Sequence, residues 1–284
     1  MKLKDINPFS IEYRVEEQDL YHYTNLKVAR EIVKNGCGTM AFTHIEDLLD
    51  IRESQKPIDI YYDLALDIIS ARYPLVRAHY DAFSRIGVSD LTNVFEQNEK
   101  GVLCLRRKKC DIYICCFSED GHSKRMEETY TKDESGKGIC IKFIPMELEE
   151  EKGFWFERGI VYDYKKVLYG NDAVTHLVNF LADIFSCSDA NESAIEKMII
   201  PRIQEKLRQM AFQVKLAKYG YEKEYRLILS IPQEKKNQFN RLETEDSGIR
   251  RILFPFRNRV IADVRGFGKT TTEEVEEIKT LLKG

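Results

Sequence analysis

The sequence predicts an α+β domain with one mixed, mainly antiparallel sheet interrupted by blocks of helix. Three observations carry that expectation. Short runs rich in branched and aromatic residues recur at 112–118, 139–144, 225–231, 250–254 and 259–264. Between them, 58–100 and 171–218 carry apolar residues at helical spacing. No linker rich in Pro, Gly or Ser divides the 284 residues and no internal repeat occurs, so one domain spanning 1–284 is expected, with those two stretches as helical insertions.

Composition narrows the class. Hydrophobic residues at 43% and charged residues at 32% describe a soluble globular protein with a charged surface. A formal net charge of −3 gives no broad attraction for nucleic acid or membrane. No apolar run approaches the roughly 20 residues that span a bilayer, and the N-terminus lacks the apolar core of a signal peptide. The seven cysteines are odd in number, with Cys115 and Cys116 adjacent and no C-x-x-C pair. That pattern suits reduced thiols in the cytoplasm better than disulfides or a zinc site.

Residues 1–18 are polar and read as a short helix or arm. Residues 19–24 are β-prone and end at a helix N-cap, after which Leu26, Ala29, Ile32 and Val33 form one apolar face until Asn35-Gly36 stops it. Gly36 to Ala41 spells G-x-G-x-x-A, but it closes a helix instead of opening one after a strand, so it is not read as a dinucleotide site. A short strand follows at 40–43. His44, Asp47 and Asp50 would share a helical face and offer metal ligands; an acidic turn that caps its own backbone is the reading taken. In 58–100, Tyr61, Leu64, Ala65, Ile68 and Ile69 form a stripe. Tyr73-Pro74 breaks it, Leu75, Ala78, Ala82 and Ile86 suggest a second helix, and a third starts near Ser89 or Asp90.

The basic run at 105–111 reads as a turn and 112–118 as a central buried strand. A short helix then carries Met126 and Tyr130, strands follow at 139–144 and 158–164, and helices at 171–186 and 191–218. Strands at 250–254 and 259–264 precede a last helix capped by Thr271, with Glu274 at capping-box spacing. Gly266 to Thr270 imitates the end of a phosphate-binding loop, but Asp263 stands where that loop requires glycine.

The stretch from Gly220 to Ile231 is the most telling. From Tyr225 it reads as a strand, stopped by Pro232. Glu222 and Glu224 stand just before the apolar run, two residues apart, which in an extended chain puts both on one face. Such a pair is costly on a half-buried strand unless it has a partner or a chemical role. Lys223 and Arg226 are the adjacent cations. His22, delivered by a strand directly before a capped helix, is held either at a cleft edge or simply against backbone.

Four segments carry a family resemblance. They are Tyr21-His22-Tyr23-Thr24; Leu49-Asp50-Ile51-Arg52-Glu53; Cys116-Phe117-Ser118-Glu119 with Tyr130 and Gly138-Ile139-Cys140-Ile141; and Glu222-Lys223-Glu224-Tyr225-Arg226, the most specific. Over almost its whole length the chain resembles the bacterial domain of unknown function (DUF) 2971 family. It departs at Met126, where that family often has tryptophan, and at Leu49, where asparagine is usual. More distantly it is similar to ADP-ribosyltransferases of the His-Tyr-Glu class. That second resemblance implies an ADP-ribosyltransferase-like fold and NAD as substrate, with an unknown acceptor: protein, nucleic acid, small molecule or water. It implies Glu224 as catalytic carboxylate assisted by Glu222, His22 as ribose anchor, and Tyr130, or less directly Tyr23, against nicotinamide. Thr24 and Ser118 would line the NAD site.

Cleavage of the nicotinamide–ribose bond passes through an oxocarbenium-like state, which a buried carboxylate stabilises more than it does the ground state. Two other classes remain open. A metal-dependent nuclease would use Asp50, Glu53 and Glu222, although Arg226 stands where a catalytic lysine would follow the strand carboxylate. A ligand-binding or interaction module would turn nothing over.

Overall fold

The computed structural model describes residues 19–33, 38–88, 93–97, 103–133, 135–156, 160–186, 192–239, 243–246, 248–256 and 259–283. Expectations for 1–18, for the Asn35-Gly36 stop and for a helix start at Ser89 or Asp90 lie outside them. The chain opens with β1 (Leu20–Asn25) and α1 (Leu26–Val33), where the Asn25 carboxamide caps the helix by accepting from Val28 N at 2.9 Å. Then come β2 (Thr39–His44), a 3₁₀ turn (Ile45–Asp47) and α2 (Leu49–Arg72). The turn caps itself as expected: His44 accepts from Glu46 N, and Asp47 pairs with Arg250.

Helix α2 begins nine residues before the expected start at 58 and runs through Pro57. It is followed by α3 (Pro74–Ala78), α4 (Tyr80–Ser84) and β3 (Asn93–Gln97), so the stretch 58–100 is not helical throughout. Strand β4 (Leu103–Ser118) absorbs the basic segment at 105–111, which is strand and not a turn; β3 pairs with it there. Next come α5 (Lys124–Tyr130), β5 (Lys137–Phe143), α6 (Pro145–Phe156), β6 (Val161–Lys166) and β7 (Leu168–Tyr169).

The second insertion is α7 (Asn171–Ser186), then α8 (Glu192–Ala194) continuing through a π-helical turn (Ile195–Ile199) into α9 (Ile200–Ala211). The helix expected to reach 218 stops at Ala211. β8 (Val214–Lys215) pairs in parallel with β7, and a 3₁₀ segment (Ala217–Glu222) leads into β9 (Glu224–Pro232). The chain ends with α10 (Lys236–Phe239), β10 (Glu243–Asp246), β11 (Ile249–Pro255), β12 (Ile261–Gly268) and α11 (Thr272–Lys283). The capping box at the start of α11 is present: Thr271 N donates to Glu274 Oε2 at 3.0 Å, and Glu274 N to Thr271 Oγ1 at 3.3 Å.

Ten of the described strands form one antiparallel sheet with β4 at its centre. Along one edge of β4 lies β9, paired from Cys110–Pro232 to Ser118–Glu224, with β6 beyond it. The other edge is shared. β2 meets β4 at Tyr113 and Ile114, and β1 meets it at Ser118. Neither ladder covers Cys115 to Phe117, so the sheet forks there. Alternation along β4 and β9 sorts their side chains between two cores. Ile112, Ile114 and Ile228 face α2, α7 and α9; Tyr113, Cys115, Phe117, Leu227 and Leu229 face the layer that holds α1 and α11. Among the described residues, no helix is long and apolar enough to cross a membrane. Cys110, Cys115, Cys116 and Cys140 are free thiols; all are buried but Cys116, which is half-buried.

Candidate active site at the fork of the sheet

Glu224 opens β9 opposite Ser118 and is buried, with 3% of its surface exposed. Its Oε1 lies 2.7 Å from Arg226 Nε and its Oε2 lies 2.7 Å from Lys215 Nζ. Arg226 is also buried and donates from Nη1 to the Phe212 carbonyl at 3.2 Å. Lys215 reaches Glu222 Oε2 as well, at 2.7 Å. The four side chains therefore form a line, Glu222–Lys215–Glu224–Arg226, in which two anions and two cations cancel. Burial alone would raise the Glu224 carboxyl, but Arg226 and Lys215 outweigh it and hold the group well below the usual carboxylate range. Glu222 is half-buried, and burial raises its carboxyl against the opposing pull of Lys215. Two chemically identical side chains are thus pushed apart in acidity.

The two glutamates are brought together differently from the way their spacing implied. Glu222 ends a 3₁₀ segment, and Lys223 adopts a left-handed conformation at φ 43°. Glu222 and Glu224 do not lie on one extended strand; the turn and the shared Lys215 unite them. Lys223 points elsewhere, with Nζ 3.6 Å from Asp120 Oδ2. Ser118 fastens the turn by donating to the Glu222 carbonyl at 2.7 Å, and its Oγ accepts from Asp120 N at 3.1 Å.

Tyr130, at the end of α5, is 38% exposed and stands beside this line of charges. Its hydroxyl is raised by desolvation and then by the charges of Cys116, Glu224 and Glu222. Tyr23 stacks near Tyr130 with ring centroids 6.2 Å apart and planes 22° apart. Tyr23 is itself pinned: its hydroxyl donates to the Asp120 carbonyl and accepts from Ser123 N. The pairing of Tyr21 with Ser118 and of Ser118 with Glu224 puts Tyr21, Tyr23, Ser118 and Glu224 on one face of the sheet.

His22 and Thr24 alternate onto the opposite face. Thr24 is buried opposite Ile139. The His22 ring lies 5.7 Å from that of Phe117, and its Nδ1 donates to the Cys116 carbonyl at 2.9 Å. That carbonyl lies where neither strand pairs with β4, so His22 satisfies a backbone group that the fork leaves without a ladder partner. Tyr130 and Glu224 converge; His22 approaches from behind. Burial lowers the His22 pKa and its backbone bond only partly offsets this, so the ring is neutral, with the proton on Nδ1.

Several participants were not singled out in the sequence. Lys215 fell inside the expected helix to 218. Tyr169, whose hydroxyl accepts from Glu224 N at 3.0 Å, carries no motif, and the Cys116 thiol beside Glu224 was read only as part of the 116–119 segment, with no role of its own. Asp50 and Glu53 fall in α2, their side chains outside the described set, and no cluster among the described residues has a metal-binding grouping of acids, histidines or cysteines. Comparison of the chain with protein families, curated proteins and solved structures finds no match.

Proposed function

We propose that the protein cleaves the nicotinamide–ribose bond of NAD, as an ADP-ribosyltransferase or NAD glycohydrolase, on the face of the fork that carries Tyr130 and Glu222. The observation that carries this reading is the geometry of two carboxylates bridged by Lys215 beside an exposed aromatic ring, one buried and held by two cations and the other half-buried and held by one, which pulls their acidities in opposite directions. The roles differ from those implied by resemblance. Glu222, half-buried and bonded through Oε2 to Lys215, is the carboxylate that faces the developing positive charge on ribose. Glu224 is saturated by Arg226 and Lys215 and acts by fixing Lys215, hence Glu222. Tyr130 offers its face to the flat leaving group, with Tyr23 behind it. His22 holds the fork closed and is not needed as a ribose anchor.

The test is nicotinamide release from NAD by the purified protein, with and without candidate acceptors. Release is expected, and Glu222→Gln is expected to lower it by about two to three orders of magnitude, the scale of one preorganised electrostatic contact. A second reading, a ligand-binding module without turnover, is favoured by the complete charge balance of the Glu222–Lys215–Glu224–Arg226 line. NAD binding without nicotinamide release selects that module. Neither binding nor release defeats both.

A further inference from the structure

The outer face of α2 carries two parallel rows of unlike character. Ile60, Leu64 and Ile68 are exposed at 50%, 49% and 39%. They recur every fourth residue, so they lie one above another along the helix, and exposed Arg72 closes the row. By spacing, Leu64 and Ile68 belong to one stripe with Tyr61, Ala65 and Ile69, but the structure divides it. The last three are buried in the core and the first two face out. Among the described residues, no other element has more than one large apolar side chain so exposed. A single exposed apolar residue is ordinary; a row of three is not.

Beside this row runs a second, Asp59, Asp63 and Asp67, each one residue earlier and each exposed. Asp67 accepts from the Tyr80 hydroxyl at 2.5 Å and Asp59 from the backbone of Val88. Asp63 has no hydrogen bond or ion pair among the described residues, and none of the three acids pairs with a lysine or arginine there. Burial, and behind it the charge of Asp63, raise the Asp59 carboxyl against the pull of Val88. The apolar row thus lacks a cover, and the acid row beside it lacks cations.

We propose that this face of α2 docks an amphipathic helix of a partner protein, one whose apolar row is flanked by a row of lysines or arginines. A helix repeats both rows at the same four-residue spacing and can follow Ile60 to Ile68 for about 12 Å. Charge decides among the occupants. When a second copy lies antiparallel with the apolar rows in contact, the two-fold axis brings the two acid rows side by side. Laid parallel, each acid row still meets no row of cations, since the face holds only Arg72 against three acids. An anionic membrane surface repels the same acids. A basic helix covers the apolar row and neutralises the acid row at once.

The probe is a synthetic amphipathic peptide of about 18 residues, long enough to be helical, with a leucine row flanked by lysines; its twin carries glutamates in their place. Binding of each to the full-length protein is followed by fluorescence anisotropy. The lysine peptide is expected to bind about tenfold tighter than its twin, and less tightly as salt is raised. Ile60→Gln combined with Leu64→Gln removes apolar surface without altering charge and should weaken binding about tenfold. Asp63→Lys should narrow the preference for the lysine peptide several-fold. Both variants should melt with the wild type, because these side chains are exposed. Equal binding of the two peptides, or an affinity that survives the double glutamine variant, would overturn the proposal. So would a dimer in sedimentation, or adhesion to phosphatidylcholine vesicles, that the double variant abolishes, since the face would then serve a second copy or a lipid surface.

Discussion

At neutral pH Glu224 is an anion because Arg226 and Lys215 hold it so, and that commitment decides what its replacement does. Glu224→Gln leaves two buried cations short of a partner, a change that costs about 3–5 kcal/mol when one member of a buried pair is removed. Tm should fall on the order of 10 °C, read by calorimetry. Buried histidines and Glu224 together set the acid limb of stability. His22, His44 and His176 are all depressed, first by burial, so the unfolded chain binds protons that the folded chain does not. Their contribution is complete above the unfolded histidine value of about 6.5 and is lost as pH falls below it. The depressed Glu224 adds a second loss below the unfolded carboxylate value, while the raised Glu222 works in the opposite sense. Tm should therefore drop between pH 7 and 4. His22→Gln, whose amide can keep the bond to the Cys116 carbonyl without titrating, should flatten that drop; an unaltered slope would remove His22 from the balance. In the sequence, Glu222, Glu224 and Arg226 were legible as a charged group needing partners. Lys215 was not, because a contact across seven residues and a turn leaves no periodic trace.

Helix α5, the 3₁₀ segment ending at Glu222 and the first residue of β9 together frame the proposed site, and Lys223 is the joint between the last two. A lysine at φ 43° occupies a region that side chains with a branched Cβ avoid. Lys223→Gly is expected to leave Tm unchanged or slightly raised, whereas Lys223→Val should lower it by on the order of 1–2 kcal/mol. Equal melting of the two variants would mean that the joint is not strained. Period-two reasoning placed both glutamates on one strand face and so reached the right neighbourhood by the wrong geometry. The left-handed joint has no marker in a lysine codon; a glycine or asparagine there would have announced it. Elements with a strong period were readable: α1 from its apolar face, α11 from its capping box, β5 and the second half of β4 from continuous apolar runs. The first half of β4 was misjudged because Arg106 to Lys109 look like a solvated turn, yet β3 supplies a ladder for them.

For the molecule as a whole, two apolar layers close over the central sheet, and the charged line from Glu222 to Arg226 sits on the helical side near the fork. The fork itself was invisible in the sequence, since it arises from two strands distant along the chain, β1 and β2, sharing one edge of β4. Alternation along β1 puts Tyr23 and His22 on opposite faces of the sheet beside it, and so divides residues that lie side by side in the chain. Activity and stability should accordingly divide between the two carboxylates. The most direct measurement is nicotinamide release from NAD together with Tm, on Glu222→Gln and Glu224→Gln side by side. Glu222→Gln should lose about two to three orders of magnitude in release while Tm moves little, and Glu224→Gln should melt on the order of 10 °C lower. Glu222→Gln releasing nicotinamide at the wild-type rate, with Glu224→Gln inactive at unaltered Tm, would contradict this assignment of roles.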